Sequence, residues 1–311
     1  MFSSLTQPNF PNAALGIESD AITAVALSGG RRSYSIKQAA TVELSPGVVT
    51  PSFADQNIEN HNEFASAVTE VVEIAGLLNQ KRWSIALPSN SARVAIIALE
   101  SEPASKQELE EIIDWKAEQA FGTPARELRL STQRISADTD GRSRFFVTAV
   151  KIAVLDEYES HFESRGWQAG LILPRALGEA NWLMHKNGGD SMLISENSDG
   201  FTALLMRGTE PVVVRSVTCT PAEIEDEIYR LVMFYNDRVA GKNPADFTGG
   251  LNNLLVVGRD IIAQNVETIA SEALGRQLRV LSPDDIGLDL PATAFNFDSI
   301  AAPAGLAALG C

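Results

Sequence analysis

The chain begins with three short apolar runs that precede any segment with helical periodicity. The runs cover residues 13–17, 22–27 and 34–44, and acidic or glycine-containing turns separate them. Apolar and β-branched runs of this length, bounded by turn residues, predict β-strands. A first helix is predicted over residues 62–78, where apolar residues recur every three or four positions. Three strands followed by a helix predict an α/β layer.

The middle of the chain, about residues 83–165, has the pattern of a small α+β unit. A capping box begins at Ser105, and the helix that it starts is predicted to run to about Phe121. Farther on, Asp140 and Gly141 form a dipeptide that tolerates the positive φ angles of a tight hairpin. The predicted strands of this unit are 83–87, 93–99, 128–135 and 145–150.

A short internal repeat bears on the architecture. Residues 20–27 align without a gap on residues 199–206, and each copy continues into a turn, a third strand and a long helix. The second of these helices is predicted to begin after Thr220, with Pro221 at its first position and Glu223 completing the cap. The repeat predicts two related subdomains that face each other across a ligand cleft. Chance similarity between two hairpins is the alternative, because the alignment is only eight residues long.

Composition narrows the range of partners and compartments. The 311 residues include 40 acidic and 25 basic side chains, and the net charge of −15 disfavours nucleic acids as partners. The apolar stretches fall far short of the roughly 20 residues that span a membrane. Only Cys219 and Cys311 are present, so a disulfide framework is excluded. We expect a cytoplasmic protein without direct membrane insertion.

Candidate catalytic and metal-binding groups are sparse. The chain lacks the motifs of phosphate-binding loops, dinucleotide-binding folds and serine hydrolases. Glu157, Glu159 and Glu163 lie on a predicted helix, and we interpret them as a solvated face. The histidines are separated in sequence and lack cysteine partners, so we expect solvated side chains and no metal site. These histidines are His61, His161 and His185.

In the order and spacing of its segments, the chain resembles the type IV pilus assembly protein PilM family, actin-like relatives of the division protein FtsA. The segments that carry the resemblance are 15–27, 83–88, 108–121, 227–231, 273–283 and 304–307. The resemblance implies an α/β fold of two duplicated actin-like, ribonuclease H-like subdomains with a small inserted α+β subdomain. The implied division is 12–82, 166–190 and 292–311 for the first half, 83–165 for the insert and 191–291 for the second half.

The same resemblance implies a nucleotide site whose motifs are altered. Actin-like ATPases hold phosphates and magnesium with an aspartate-containing turn from each half, and adenosine with a glycine-rich turn. A glutamate about 4 Å from a phosphate costs on the order of 4 kcal/mol at an effective dielectric constant near 20. The resemblance therefore implies no catalytic residue and no bound cofactor; ATP with magnesium, held by Asp20 and Asp199, is the alternative. The corresponding positions are Gly16, Glu18, Ser19, Asp20, Ser195, Asn197, Ser198, Asp199, Gly258 and Arg259.

The resemblance also implies a partner. PilM-like proteins bind the cytoplasmic N-terminal peptide of PilN, a bitopic inner-membrane protein, in a groove between large and small subdomains. The chain would then be a non-catalytic cytoplasmic scaffold, peripheral to the inner membrane through its PilN-like partner and in contact with other pilus assembly proteins. An active ATPase of the same machinery and an L-type component of type II secretion are the alternatives. By motif, the groove walls are Ala86, Leu87, Pro88, Arg93 and Ile96.

Overall fold

The computed structural model describes residues 9–30, 33–184, 186, 188–240, 250–291 and 295–311. The strands are β1 Ala13–Ile17, β2 Ala21–Gly30, β3 Ser33–Glu43, β4 Arg82–Leu87, β5 Arg93–Ala98, β6 Leu128–Ile135, β7 Arg144–Lys151, β8 Gln168–Pro174, β9 Asp190–Asn197, β10 Gly200–Arg207, β11 Glu210–Thr218, β12 Leu251–Val257 and β13 Leu288–Asp289. The helices are α1 His61–Ile74, α2 Lys106–Phe121, α3 Ile152–Glu163, α4 Arg175–Ala180, α5 Ile224–Arg238, α6 Ala263–Leu274 and α7 Phe297–Ala308.

Two of the sheets repeat one topology, as the internal repeat predicts. The six-stranded sheet has the order β13-β3-β2-β1-β4-β8, and the four-stranded sheet has the order β11-β10-β9-β12. In each, an antiparallel hairpin is joined along its first strand by a later parallel strand, β4 in one sheet and β12 in the other. The repeat is also in register, since Leu15 faces Ala24 in the first copy and Ile194 faces Ala203 in the second. The predicted duplication is confirmed.

Each half has its own apolar core. In the first half, α1 and α3 cover the six-stranded sheet and bury Phe64, Tyr158 and Phe162. In the second half, α5 and α6 cover the four-stranded sheet, where Ile228 and Val266 are buried. Strand β1 is buried along its whole length, so it reads as a continuous apolar run and not as an alternating one.

The insert is smaller than predicted. A three-stranded sheet with the order β5-β7-β6 packs one face on α2, and this unit begins at Arg93. Residues 83–87, which the prediction gave to the insert, form most of β4 in the six-stranded sheet, and α3 packs on the first half. Because β4 and β5 are neighbours along the chain, the sequence pattern alone does not reveal that they belong to different sheets.

Helices α4 and α7 cross between the two halves, and small residues allow the close approach. A Cβ atom added at Gly178 would lie 2.6 Å from the carbonyl oxygen of Ala302. In the 3-10 turn that follows α4, the side chain of Asn181 donates to the carbonyl of Gly305, and the indole of Trp182 donates to that of Ala301. The two helices therefore form the joint around which both sheets are arranged.

Two element ends differ from the predictions for local reasons. Helix α1 ends at Ile74 and not at residue 78, because Gly76 adopts a positive φ of 70°. Leu78, which periodicity placed on the buried face, is 54% exposed. The cap at Thr220 forms in both directions with Glu223, but its first turn is a 3-10 turn and α5 begins at Ile224.

Candidate functional site

The turns of the two repeated hairpins meet at one polar cleft of about 390 Å³. The first half contributes the turn between β1 and β2 and the residues after β4, and the second half contributes the β9–β10 hairpin and the residues after β12. The lining residues are Glu18, Ser19, Asp20, Pro51, Pro88, Ser89, Asn90, Arg175, Glu196, Asn197, Ser198, Arg259, Asp260, Asp298 and Ser299. The cleft thus brings together most of the residues that the resemblance assigned to a nucleotide site.

The first turn is occupied by packing and by an ion pair. A Cβ atom added at Gly16 would lie 2.9 Å from Cγ of Pro303, so the glycine makes room for α7. The carboxylate of Glu18 lies 3.1 Å from Nη1 of Arg175. Burial raises the pKa of Glu18, against the lowering effect of Arg175. The repulsion expected between Glu18 and a phosphate is therefore partly offset by a guanidinium that the sequence pattern did not identify.

Arg175 lies at the floor of the cleft, at the start of α4, and holds several groups together. Its Nε lies 2.6 Å from the carboxylate of Glu179, which is fully buried, and its Nη2 donates to the carbonyl of Asp298 at 3.0 Å. Although burial alone would lower it, Glu18 and Glu179 raise the pKa of Arg175. Arg175 therefore stays charged and is committed to the protein's own carboxylates.

The second turn is bridged to the first half by a side-chain amide. The amide nitrogen of Asn90 donates to Oγ of Ser198 at 2.7 Å and to Oδ1 of Asp199 at 2.8 Å. Asn197 accepts the backbone N–H of Asp199, so the turn is capped by the asparagine and not by the aspartate. Ser195 is buried within β9. The carboxylate of Asp199 is thus engaged by Asn90, a residue that lines the cleft.

The turn after β12 is occupied by two carboxylates. Oε2 of Glu196 accepts the backbone N–H groups of Arg259 at 2.5 Å and Asp260 at 3.2 Å. Oδ1 of Asp298 accepts the N–H of Gly258 at 3.0 Å. A Cβ atom at Gly258 would lie 2.5 Å from Cβ of Glu196, so the glycine leaves room for that side chain. Three successive backbone donors, a typical anion site, already have acceptors.

Arg259 reaches across the cleft and forms an ion pair with Asp20. Asp20 and Asp199, which are equivalent in the repeat, therefore both contact the opposite half of the molecule. Asn90, Arg175, Glu196 and Asp298 also belong to the cleft and were not predicted from the sequence. Glu196 stands between two assigned positions, but its role depends on the turn after β12, more than sixty residues away.

Chemically, the cleft presents more carboxylates than cations. Among the described residues, Glu18, Asp20, Glu196, Asp260 and Asp298 line it together with two cations, Arg175 and Arg259. Within the described part of the chain, no group of three or more histidine, cysteine, aspartate or glutamate side chains could hold a metal ion. The arrangement is suited to linking the two halves by hydrogen bonds and ion pairs.

A second, apolar pocket of about 300 Å³ lies where the insert meets α4 and the second half. Its walls are Ser131, Gln133, Phe146, Thr148, Leu173, Leu177, Ala180, Asn181, Met184, Leu204, Met206, Thr209, Pro211 and Leu309. This pocket lies between subdomains, as the predicted groove does, but its walls come from other residues.

None of the five residues predicted for the groove walls lines this apolar pocket, and the groove itself stays a prediction. Ala86 and Leu87 are 1% and 0% exposed and contribute to apolar cores. Pro88 lines the polar cleft, and Arg93 lies over the ring of Phe53. Ile96 is half-buried in the apolar cluster that also contains Phe146. Ile96 lies opposite Phe146 in the β5–β7 pairing and points to the same face of the insert sheet as that pocket wall, whereas Arg93 points to the other face.

The expectations about titratable residues are met only in part. His61 is exposed as expected, but its Nδ1 lies 2.9 Å from Nε2 of His161, which is half-buried. Glu157 is not solvated: it is 7% exposed, and its carboxylate accepts the N–H groups of Asn57 at 2.8 Å and Ile58 at 3.0 Å. His185 lies outside the described residues.

In the described portion of the chain, no helix is both long enough and apolar enough to cross a membrane. No protein-family model and no curated protein matches the chain.

Solved structures do match. The PilM-PilN type IV pilus biogenesis complex contains a chain with a TM-score of 0.76 and 15% sequence identity, and the match covers 97% of this chain and 99% of that one. A protein of unknown function with an actin-like ATPase fold, from Bacteroides thetaiotaomicron, matches with a TM-score of 0.51 at 11% identity over 97% and 98% of the two chains. The chain has the actin-like ATPase fold.

The predicted fold is thereby confirmed, with two actin-like halves and an inserted subdomain. The cytoplasmic domain of EpsL, an inner-membrane component of the type II secretion system of Vibrio cholerae, matches with a TM-score of 0.46 at 11% identity, over 86% of this chain and 96% of that one. That score is too low to support the type II secretion alternative.

Proposed function

We propose that the protein is a non-catalytic, PilM-like scaffold of a type IV pilus or related secretion assembly complex. In this role it binds the N-terminal cytoplasmic peptide of a PilN-like inner-membrane protein. It would act in the cytoplasm, peripheral to the inner membrane through that partner, and would contact other assembly proteins.

The observation that carries the proposal is the extent of the structural likeness to the chain in the PilM-PilN complex. The likeness spans 97% of this chain and 99% of the other, at a TM-score of 0.76. Shared extent over three subdomains is stronger support than a match confined to one half would be. Sequence identity of 15% leaves the function a proposal, because folds host many functions.

The state of the polar cleft supports a non-catalytic role. Glu196 and Asp298 occupy the backbone donors at residues 258–260, and Asp20 is paired with Arg259. A nucleotide would have to displace these contacts and bring further negative charge among five carboxylates. The cleft is therefore better suited to a structural role than to phosphate chemistry.

The apolar pocket is the proposed peptide site. Leu177 and Met184 are half-buried there, and Phe146 closes the pocket from the insert. Apolar walls with a few polar groups such as Gln133 and Thr209 suit an extended peptide that buries apolar side chains and hydrogen-bonds through its backbone.

The test is binding of a fluorescent peptide that contains the first ten or so residues of the PilN-like partner from the same organism. We expect binding to the wild type, and at least about a tenfold loss in the Met184→Asp variant, because a charge in an apolar pocket is costly to desolvate. Leu78→Asp is the matched control, since Leu78 is 54% exposed and lies at the end of α1.

A partner fragment that lacks these residues should not bind. Equal binding of the full and truncated fragments would contradict the proposed peptide, and equal losses in Met184→Asp and Leu78→Asp would contradict the proposed pocket.

An active ATP-binding protein of the same machinery is the second candidate. The observation in its favour is that Asp20 and Asp199 occupy equivalent positions in the two repeated hairpins, and each contacts the opposite half. Steady phosphate release that disappears in an Asp20→Asn variant would support this reading. The engagement of both carboxylates by Arg259 and Asn90 makes it the less favoured one.

A further inference from the structure

The contacts across the polar cleft join two bodies that are also connected by an apolar cluster around α4 and α7, by the hydrogen bond from Gly258 to Asp298 and by the pairing of β13 with β3. On one side of the cleft stand Asp20 and Asn90, which belong to the first half. On the other stand Arg259, Ser198 and Asp199, which belong to the second half. These five residues define what we call the interdomain latch.

The first-half side of the latch is held firmly. Asn90 lies in the turn after β4, and the neighbouring Ser91 donates its hydroxyl to the side chain of Asn57. The backbone of Asn57 is bound in turn by the buried carboxylate of Glu157, and Tyr158 also donates to its side chain at 3.3 Å. Asn90 is therefore presented to the second half by a buried polar network.

The second-half side of the latch is equally constrained. Glu196 accepts the backbone N–H groups of Arg259 and Asp260, and this fixes the turn from which the Arg259 side chain extends. Ser198 and Asp199 lie in the tight turn between β9 and β10, where Asn197 caps the backbone. The hydrogen-bonding groups on both sides of the latch are thus held in position before they pair. This preorganisation reduces the conformational entropy that is lost when they pair.

Two rigid elements connect the latch to the apolar pocket. Helix α4 carries Arg175 at the cleft and Leu177 at the pocket. Strand β10 starts beside Asp199 and carries Leu204 and Met206 in the pocket, a span of roughly 20 Å at about 3.3 Å per residue. A change in the angle between the two halves must therefore move the pocket walls relative to Phe146 of the insert.

We propose that the interdomain latch holds the cleft closed without nucleotide and thereby fixes the shape of the apolar pocket. The part that concerns the pocket rests on the proposed function, since the occupant is the partner peptide. The latch takes the place of a ligand: side chains of the chain itself supply the contacts that bridge the two halves. Each exposed contact is weak alone, so closure depends on all of them together.

The first test measures closure directly. Spin labels at Glu70 on α1 and Asp226 on α5, both exposed helix positions, report the separation of the halves in a Cys219→Ser, Cys311→Ser background. We expect one narrow distance distribution in the unmodified latch, unchanged by magnesium–ATP. The double variant Asp20→Asn with Asn90→Ala should add a broader, shifted population.

Charge reversal separates the latch from a general loss of stability. Asp20→Arg alone and Arg259→Asp alone should each broaden the distribution, and the two combined should restore the narrow one. Asp140→Asn is the control, because Asp140 pairs with Arg142 at 3.4 Å within one hairpin of the insert, away from the cleft. An unchanged distribution in the double latch variant would overturn the proposal, as would closure that requires magnesium–ATP.

The second test uses the partner peptide. Opening the latch should weaken peptide binding by roughly three- to tenfold, although no latch residue lines the pocket. Unchanged affinity in a variant whose halves have separated would overturn the link between latch and pocket. If the peptide does not bind even the wild type, the proposed function fails, while the spin-label distances still decide whether the latch exists.

Discussion

Glu157 shows that a local sequence pattern can assign a side chain to the wrong environment, because its carboxylate is buried and not solvated. The Glu157→Ala variant removes the acceptor of two backbone N–H groups, those of Asn57 and Ile58. Leaving buried donors unsatisfied costs about 1–3 kcal/mol each, less whatever water recovers, so we expect a loss of about 3 kcal/mol in the free energy of unfolding. Urea denaturation measures this loss.

Glu163→Ala is the matched control for Glu157. Glu163 lies on the same helix but is exposed, and we expect its replacement to change the free energy of unfolding by less than about 0.5 kcal/mol. Equal losses in the free energy of unfolding for the two variants would contradict a buried, hydrogen-bonded Glu157. They would instead support the interpretation of Glu157 as part of a solvated face.

The partial burial of His161, next to His61, makes stability depend on pH. Burial, and next to it His61 and Arg165, lower the pKa of His161 in the folded protein. The unfolded chain then binds the proton more readily, so stability falls as the pH drops through the ordinary histidine pKa of about 6.5. We expect His161→Gln to lose less stability than the wild type between pH 7.5 and pH 6, measured by urea denaturation at each pH. A steeper loss in the variant would contradict this sign.

At the scale of elements, the close crossing of α4 and α7 should make glycine-to-alanine replacements destabilising, although such replacements usually stabilise a helix. Replacing glycine by alanine inside a helix usually stabilises it by about 1 kcal/mol. At Gly305 the added methyl group would strike the carbonyl oxygen of Gly178, so we expect Gly305→Ala to reduce the free energy of unfolding by about 2 kcal/mol. Gly178→Ala should act in the same direction, because its Cβ would lie 2.6 Å from the oxygen of Ala302. A stabilised Gly305→Ala variant, in thermal or urea unfolding, would contradict the close crossing.

Elements with strong local patterns were predictable. The predicted strands 13–17 and 128–135 have the same bounds as β1 and β6, because turn residues bracket both. The sheet to which a strand belongs was harder to predict. Strand β4 directly precedes β5 along the chain, but it pairs with β1 and β8 in a different sheet. Hydrophobic patterning gives the type of an element, whereas its partners depend on contacts between residues far apart in sequence.

At the scale of the whole molecule, the site also combines features that were predictable from local sequence with features that depend on long-range contacts. The two hairpin turns were located from the repeat, and both face the cleft. Arg175 and Asp298 were missed because each comes from a crossing helix that only the tertiary fold brings there. The resemblance predicted altered residue types at the nucleotide site, and this stays a prediction. It did not identify the carboxylates of Glu196 and Asp298, which accept the backbone N–H groups there.

The engaged backbone donors of the cleft lead to a prediction about nucleotide binding by the whole molecule. A site with a Kd near 50 μM would add about 2.7 kcal/mol of stability at about 5 mM magnesium–ATP, which corresponds to a rise of roughly 4 °C in the unfolding midpoint. We expect no such rise, because Glu196 and Asp298 already hold the backbone donors and five carboxylates line the cleft. An actin-like ATPase measured alongside serves as the positive control. A clear rise that ADP shares would mean that nucleotide displaces these carboxylates, and it would make the ATP-binding candidate the stronger one.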